Sequence, residues 1–431
     1  MLEQELNFEN DLIKYLTQIG GSKQWQYVPD IKNTDQLWQN FKKILEQHNQ
    51  GKLDQPMSPT EFAQVKQQIE NLETPYQAGK FLYGLNGVSQ IEIDRDDGKH
   101  VFLTVFDQQY VGAGDTVYQV VNQIVRPAKQ SGRKNRRFDT TLLINGLPII
   151  QIEEKKASHD AKEALNQMSQ YIAEEQYSDI FSTLQILIGM TPDNTLYMAN
   201  TSFDKFNTDF AFHWQREDDN RPVLEWRDFA NRMLSIPMAH QMATSYVILD
   251  GTKNKQMIKV MRPYQVYATK RIIEKIKQTN FNMDTQKLGY VWHTTGSGKT
   301  ISSFKAAWLA SRLPNVDKVI FLVDRIALTQ QTADNYAAYD PDSNAENKGG
   351  VVADTANVNM LSRKIRQKGG GIIVTSIQKL DRLVQRESFK QPDKHIVFIV
   401  DEAHRSTSGE MLQRAKKGFP KSVWVGYTGT P

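Results

Sequence analysis

Cysteine is missing from all 431 residues. Without a thiol there is no disulfide and no thiolate zinc site, and a reducing cytoplasmic setting is the expectation. No apolar run approaches the length of a membrane span, so no membrane partner is expected. The acidic start, Met1-Leu2-Glu3-Gln4-Glu5, does not read as a signal peptide. The eight histidines show no metal-ligand spacing. A strong charge of one sign is also lacking: 53 basic side chains face 49 acidic ones, a net charge of +4. Any affinity for polyanions must therefore come from local clusters. Internal repeats and low-complexity tracts are absent. What remains, with 39% hydrophobic and 24% charged residues, reads as a globular chain of two or three domains.

The richest stretch is His293-Thr294-Thr295-Gly296-Ser297-Gly298-Lys299-Thr300. An apolar run, Leu288–Trp292, precedes it and a helix-like stretch follows from Ile301. Strand, glycine-rich loop and helix are the context of a phosphate-binding loop. The glycines let backbone N–H groups close around an anion, Lys299 reaches the β/γ-phosphates, and Thr300 ligates Mg²⁺. His293 stands where such loops begin with glycine. The competing reading, a glycine-rich turn that contains a lysine, does not account for the flanking elements.

About 100 residues later a second apolar run, Ile396–Val400, ends in Asp401-Glu402-Ala403-His404. Carboxylates at the C-terminal end of a parallel strand face the nucleotide cleft. Asp401 is the candidate for holding Mg²⁺, and Glu402 for orienting and deprotonating the attacking water.

Five short apolar strands are predicted in this half: Leu288–Trp292, Lys318–Val323, Gly371–Ser376, Ile396–Val400 and Ser422–Tyr427. Helical patterns separate most of them, which predicts a parallel sheet covered on both faces. The N-terminal half reads as mixed α/β. Phe8, Leu12, Ile13 and Leu16 predict an opening amphipathic helix, and Ser58-Pro59-Thr60-Glu61 starts another. Strands are predicted at Val101–Phe106, Arg137–Ile144, Leu147–Lys155, Leu184–Met190 and Leu196–Ala199, with a turn at Thr191-Pro192-Asp193-Asn194. The expected division is 1–240, a linker at 241–260, and 261–431.

A second chemical centre lies on those strands. Asp139 sits on Arg137–Ile144, Asn145-Gly146 signals a hairpin, and the return strand carries Gln151-Ile152-Glu153-Glu154-Lys155-Lys156. Side chains alternate along a strand, so Gln151, Glu153 and Lys155 share a face, which favours Glu153 with Lys155 over Glu154 with Lys156. A strict two-residue turn pairs Asp139 with Ile152. One extra residue, placed as a bulge at Gly146, pairs it with Glu153, and that bulge is the prediction. Two carboxylates and a lysine on one face suit phosphodiester hydrolysis assisted by a metal. Asp139 and Glu153 are then the Mg²⁺ ligands, and Lys155 positions the water or stabilises the developing charge. The bland alternative is a solvated, self-paired charge run. Context weighs against it: Arg126, Lys129, Arg133, Lys134, Arg136 and Arg137 crowd just before Asp139 with no acid among them. Arg133, Lys134, Arg136 and Arg137 are taken as candidate phosphate contacts. Gln167 and Tyr171, four apart on the next helix, share a face and border the same cleft.

With these residues in place the chain resembles the restriction (motor) subunit of Type I restriction–modification enzymes. Phe138-Asp139, Asn145-Gly146-Leu147-Pro148 and Gln151–Lys156 resemble that family's PD-(D/E)xK nuclease core. The resemblance puts the catalytic Asp, Glu and Lys on Asp139, Glu153 and Lys155, the Gln-x-x-x-Tyr element on Gln167 and Tyr171, and an upstream acid on Glu9. The proline of the motif's name is absent before Asp139. The second half resembles a superfamily 2 helicase motor. His293–Thr300 matches motif I, Asp324-Arg325 the next motif, Asp401–His404 motif II and Thr428-Gly429-Thr430 motif III. Thr375–Lys379 resembles a DNA-contacting motif, so Gln378 and Lys379 are DNA candidates. Arg262 and Gln265 lie where such motors read adenine. His404, Thr428 and Thr430 carry coupling roles.

The resemblance implies a mixed-sheet nuclease domain followed by one RecA-like parallel α/β domain. ATP and Mg²⁺ are the implied cofactors. The implied partners are double-stranded DNA and the methyltransferase and specificity subunits of one complex. The implied activity is DNA cleavage coupled to ATP-driven translocation. A stand-alone helicase with a non-catalytic N-terminal DNA-binding domain is the alternative. Because the sequence stops at Pro431, just past motif III, a second RecA-like domain with its arginine finger is expected to be lacking. ATP binding with little turnover is then expected of this stretch alone.

Overall fold

A computed structural model describes residues 2–20, 24–283, 285–294, 296–323, 326–342, 350–401 and 409–429. Two compact units divide the chain. Unit 1 comprises Met1–Leu249 with Gln256–Pro263, and unit 2 comprises Asp250–Lys255 with Tyr264–Pro431.

Unit 1 opens with α1 (Leu2–Leu16), whose Phe8, Leu12, Ile13 and Leu16 are all buried. The short β1 (Gln26–Tyr27) leads into α2 (Thr34–His48), α3 (Pro59–Glu70) and α4 (Pro75–Tyr83). The start of α3 follows from its sequence: the Ser58 hydroxyl accepts from Glu61 N at 3.2 Å, and the Glu61 carboxylate accepts from Ser58 N at 2.9 Å. A hairpin of β2 (Val88–Asp94) and β3 (His100–Asp107) follows. Then come β4 (Tyr118–Arg126), β5 (Arg136–Ile144), β6 (Leu147–Glu154), α5 (Ala161–Ala173), β7 (Ile186–Thr191) and β8 (Asn194–Ala199). The sheet order is β1-β4-β5-β6-β7-β8, with parallel pairs β1–β4 and β6–β7 and antiparallel pairs elsewhere, a mixed sheet as the sequence predicts. Smaller pieces complete the unit: β9 (Trp214–Gln215), β10 (Pro222–Val223), α6 (Trp226–Phe229), α7 (Met238–Ala243), β11 (Val247–Asp250) and β12 (Met257–Val260).

Two expectations change here. The stretch 241–260, read as a linker, holds the end of α7 and the paired strands β11 and β12. The reason is apolar: Val247, Ile248 and Leu249 are all buried. The second change concerns the bulge. Asn145 and Gly146 have φ of 51° and 81°, the mirror-image turn that closes a two-residue hairpin, and Ile144 pairs directly with Leu147. The extra residue comes later. Leu143 pairs with Pro148 and Leu142 with Ile150, so Ile149 is the one left over. Pro148 has no N–H to give the ladder, and an interruption beside it costs little.

Unit 2 is a layered α/β structure. It contains α8 (Pro263–Lys277), β13 (Gln286–Trp292), α9 (Lys299–Ala310), β14 (Lys318–Val323) and α10 (Ile326–Tyr339). These are followed by β15 (Val352–Asp354), α11 (Val358–Arg366), β16 (Ile372–Ser376), α12 (Ile377–Val384), β17 (Ile396–Val400), α13 (Glu410–Gly418) and β18 (Ser422–Thr428). The sheet order is β13-β18-β17-β14-β16-β15, and every pair is parallel. One cluster of side chains from α11, α12 and α13 packs on Ile320, Phe398 and Trp424, the last two rings stacked at 3.9 Å. The predicted covering of the sheet fails at β13. It lies at the edge with β18 as its neighbour, and Tyr290 and Trp292 are 68% and 57% exposed. Among the described residues no helix is long and apolar enough to cross a membrane.

Candidate functional site

The displaced bulge leaves the register that matters. Thr140 pairs with Ile152, so the next step places Asp139 opposite Glu153. On the other side, Asn122 pairs with Thr140 and Ile124 with Phe138, which puts Gln123 opposite Asp139. Glu153 in turn pairs with Gly189 of β7. Gln123, Asp139, Glu153 and Gly189 thus form one row across four strands.

Each acid in this row is held. The Asp139 Oδ2 accepts from Glu154 N at 3.1 Å. The Gln151 amide donates to Glu153 Oε1 at 3.3 Å, while the Gln167 amide donates to Oε2 at 2.9 Å and the Tyr171 hydroxyl to the same oxygen at 3.4 Å. Gln151 is itself oriented, accepting from the Thr141 hydroxyl at 2.7 Å. Helix α5 presents Gln167 and Tyr171 together because they lie four residues apart, and Gln167 also donates to the Tyr171 hydroxyl. Asp160 starts that helix with a capping box to Glu163. Glu9 of α1 reaches the same region, held by the amides of Asn122 and Gln123. Gln123 has φ of 56° in mid-strand, a left-handed conformation costing about 1–3 kcal/mol for a non-glycine residue. That strained turn of backbone carries one of the two donors to Glu9.

The electrostatics run one way. Burial raises the pKa of Asp139, opposed chiefly by the charge of Lys155. Burial, with the Asp139 charge second, pushes Glu153 well above the usual carboxylate range. Burial and then the charges of Asp139 and Glu9 do the same to Glu154. Glu9 is raised by burial, against the hydrogen bond from Asn122. Four carboxylates therefore crowd one poorly solvated place, and a cation is what such a place favours. Asp139 and Glu153 offer hard oxygen donors that suit Mg²⁺, which completes its shell with water. Among the described residues no group of three His, Cys, Asp or Glu side chains converges as a ready metal cage.

Strand parity disfavours Glu154, yet it is 1% exposed and among the described residues neither carboxylate oxygen has a hydrogen-bond partner. Nothing in a Glu-Glu-Lys-Lys string distinguishes its two acids except parity. The basic segment also differs from its reading. The guanidinium of Arg136 grips Glu174 at 2.7 and 2.5 Å, and Arg133 lies 3.7 Å from the same carboxylate. Arg126 is buried on Asp179 at 3.0 Å, and Lys129 joins it at 3.1 Å. The acids missing from the segment itself come from beyond α5. Lys134 and Arg137 remain exposed.

In unit 2, the phosphate loop leaves the edge strand and enters α9 at Lys299. Gly296 and Gly298 have φ of 81° and 80°, the left-handed region that opens N–H groups toward an anion. The Ser297 carbonyl accepts from both the Tyr264 hydroxyl and the Gln265 amide at 2.8 Å. The φ of 80° favours glycine at 298, and a Cβ there would also push on the Gln265 amide. Gln265 thus clamps the loop. Arg262 belongs to unit 1, where its guanidinium lies 4.6 Å over the Phe212 ring. His293 N donates to Thr428 O at 2.9 Å, tying the loop to the end of β18. Burial and the Lys299 charge lower the His293 pKa. Asp401 follows β17, two strands from β13 and so about 10 Å across the sheet. Ser376 caps α12, and the Lys379 ammonium, beside Gln378, donates to Thr355 O. Thr300 is exposed at the first turn of α9. Thr295, Asp324, Arg325, Glu402, His404 and Thr430 lie outside the described residues.

Residues 4–206 match the family described as Type I restriction enzyme R protein N terminus, and residues 264–431 match the SWI2/SNF2 ATPase family. A Type I restriction enzyme endonuclease subunit of Staphylococcus aureus, SauMSSORF170P, is 31% identical over 100% of this chain and 43% of its own length. A Mycoplasma pneumoniae chain described as the C-terminal part of the type I restriction enzyme MpnIIP endonuclease subunit is 39% identical over 47% of this chain and 98% of its own. Among solved structures, a nuclease-deletion mutant of the Type ISP restriction-modification enzyme LlaGI with a DNA substrate mimic is similar over 40% of this chain and 18% of that one, at 21% identity and a TM-score of 0.29. The chain spans less than half the length of the curated Staphylococcus aureus relatives it matches. It belongs to the family of Type I restriction enzyme endonuclease subunits.

Proposed function

We propose that the chain is the cleaving and DNA-driving part of an ATP-dependent Type I restriction endonuclease. Unit 1 is a Mg²⁺-dependent PD-(D/E)xK nuclease, and unit 2 is its first RecA-like motor domain. The observation that carries this reading is the row that sets Asp139 beside Glu153, with Gln167 and Tyr171 on the glutamate and the Lys155 charge acting on the aspartate. Asp139 and Glu153 would hold the Mg²⁺, which would acidify a bound water and neutralise phosphate charge. Gln151, Gln167 and Tyr171 hold Glu153 in one orientation, so the acid need not reorganise when DNA arrives. The Lys155 ammonium stabilises the charge that develops on the phosphodiester.

In unit 2 the loop N–H groups and Lys299 would bind the ATP phosphates, Thr300 and Asp401 would hold its Mg²⁺, and Glu402 would orient the attacking water. Thr428 and its neighbours carry hydrolysis into movement along double-stranded DNA. Gln378, Lys379, Lys134 and Arg137 contact phosphates. Methyltransferase and specificity subunits complete the assembly and choose the site, in the cytoplasm.

Glu153→Ala and Lys155→Ala in the assembled enzyme test this. Loss of DNA cleavage with ATP binding retained is the expected result. Unchanged cleavage favours a superfamily 2 translocase whose N-terminal unit only binds DNA.

A further inference from the structure

On unit 2, away from the nucleotide loop's own residues, Arg363, Arg366 and Arg386 line a hollow of about 490 Å³ with Asn359, Ser362 and Gln367. No acid and no apolar side chain is in that lining. None of the three guanidiniums forms an ion pair among the described residues, whereas Arg414 of α13 is paired with Asp381 at 2.8 Å and Arg312 with Asp342 at 3.0 Å. Arg386 is instead steadied by Asn359 Oδ1 at 2.6 Å.

The ordinary explanation for cations in the last turn of α11 is that they serve the carbonyls at its end. The carbonyl at the C-cap has another donor, the Lys394 ammonium on Gln367 O at 2.5 Å, and the Lys318 ammonium takes Gly369 O just beyond the helix at 2.5 Å. Positive charge is crowded enough here that burial and then Lys394, with a smaller part from Lys364, hold Lys318 below its usual pKa against the pull of Asp317. A surface where three arginines form no ion pair among the described residues, beside Lys364 and Lys394, favours a polyanion.

We infer that this hollow between α11 and the end of α12 seats the phosphate backbone of duplex DNA, apart from the contacts assigned to Gln378 and Lys379. The inference rests on the DNA-translocating reading above. Guanidinium forks match phosphate oxygens. The lining holds no aromatic ring on which an unpaired base stacks, which favours a duplex over a single strand. It holds no apolar anchor either, which disfavours an acidic peptide.

The test compares the full chain with Arg363→Ala, Arg366→Ala and Arg386→Ala, singly and combined, for binding to a short duplex across a salt series. ATP binding reports that unit 2 stays folded. Each lost phosphate contact lowers the slope of log K against log salt by about 0.9, so the triple variant is expected to lose about 2–3. A triple variant with the parent's slope, while the parent binds duplex, overturns the inference and leaves the DNA reading standing. No duplex binding by the parent overturns both. Equal loss on single strands, or displacement of duplex by poly-glutamate at equal charge, also overturns it, in favour of a single strand or an acidic protein.

Discussion

Gln167 donates its side-chain amide to Oε2 of Glu153 at 2.9 Å, and both lie beside the Tyr171 hydroxyl. A glutamate fixed this way presents its free lone pairs in one direction. Groups that orient a metal ligand typically contribute 10–100-fold to metal affinity or activity. Gln167→Ala and Tyr171→Phe are therefore expected to raise the Mg²⁺ concentration needed for cleavage by roughly 10-fold or more, with the thermal transition little changed. A Mg²⁺ titration of DNA cleavage by the assembled enzyme decides it. Loss of activity with the same half-saturating Mg²⁺ speaks against an orienting role.

Gly189 is the register partner of Glu153, and a Cβ there collides with the backbone carbonyl of Ala161. The first turn of α5 thus rests directly on β7. Backbone cannot swing aside as a side chain does, so Gly189→Ala must lift the helix that carries Gln167 and Tyr171. A cost of about 1–3 kcal/mol in stability is expected from overpacking. Cleavage should fall further than that destabilisation alone explains, because the donors to Glu153 move with the helix. Denaturant unfolding alongside cleavage at a temperature where the variant is fully folded separates the two effects.

The crowded acids also set a pH dependence. Asp139, Glu153, Glu154 and Glu9 are all raised above their ordinary values, first by burial. Between the unfolded and folded pKa values the native state binds more protons, so stability falls as pH rises through that interval. The contribution is fully present below the ordinary carboxylate range and is lost toward neutral pH. Metal-free protein should accordingly melt lower at pH 7 than at pH 5, and Mg²⁺ should restore more at pH 7. Glu154→Gln removes the acid whose carboxylate oxygens have no hydrogen-bond partner among the described residues. A gain of roughly 1 kcal/mol, or about 2–4 °C, is expected at neutral pH without metal. Scanning calorimetry with and without Mg²⁺ at the two pH values checks the sign, and a melting point that climbs with pH in EDTA contradicts it.

Which of these features the sequence discloses depends on how local their physics is. Strand parity makes the choice of Glu153 over Glu154 readable, but the pairing of Asp139 with Glu153 needs one extra residue in the hairpin, which turn length alone does not supply. The residue that shifts the register is not readable, since Asn145-Gly146 suits both a tight turn and a bulged one, and Pro148 favours the interruption at Ile149 only once β6 lies in the sheet. Glu174 is likewise invisible as the partner of Arg136, because 38 residues and all of α5 separate them. The Leu288–Trp292 run reads as a buried strand, yet its place at the sheet edge is a matter of topology. The strand, glycine-rich turn and helix of 288–310 are the most legible part, since their glycines, lysine and flanking elements are contiguous.

The clamp on that loop supports a last prediction. Tyr264 and Gln265, the first residues of unit 2 in α8, both donate to the Ser297 carbonyl at 2.8 Å. Their pull fixes that carbonyl, and with it the turn that leads into α9. Each bond contributes about 0.5–1.5 kcal/mol, so Tyr264→Phe and Gln265→Ala are each expected to weaken ATP binding by about 2–10-fold. Gly298→Ala forces a left-handed residue to carry a Cβ into the Gln265 amide. It should weaken binding more than either, and Gln265→Ala should rescue it in part by removing the collision while the φ strain persists. Calorimetric titration of ATP into the four proteins, with Lys299→Ala as the reference for lost phosphate contact, reads the series. A double variant no better than Gly298→Ala alone means that the left-handed backbone, not the glutamine, sets the requirement for glycine.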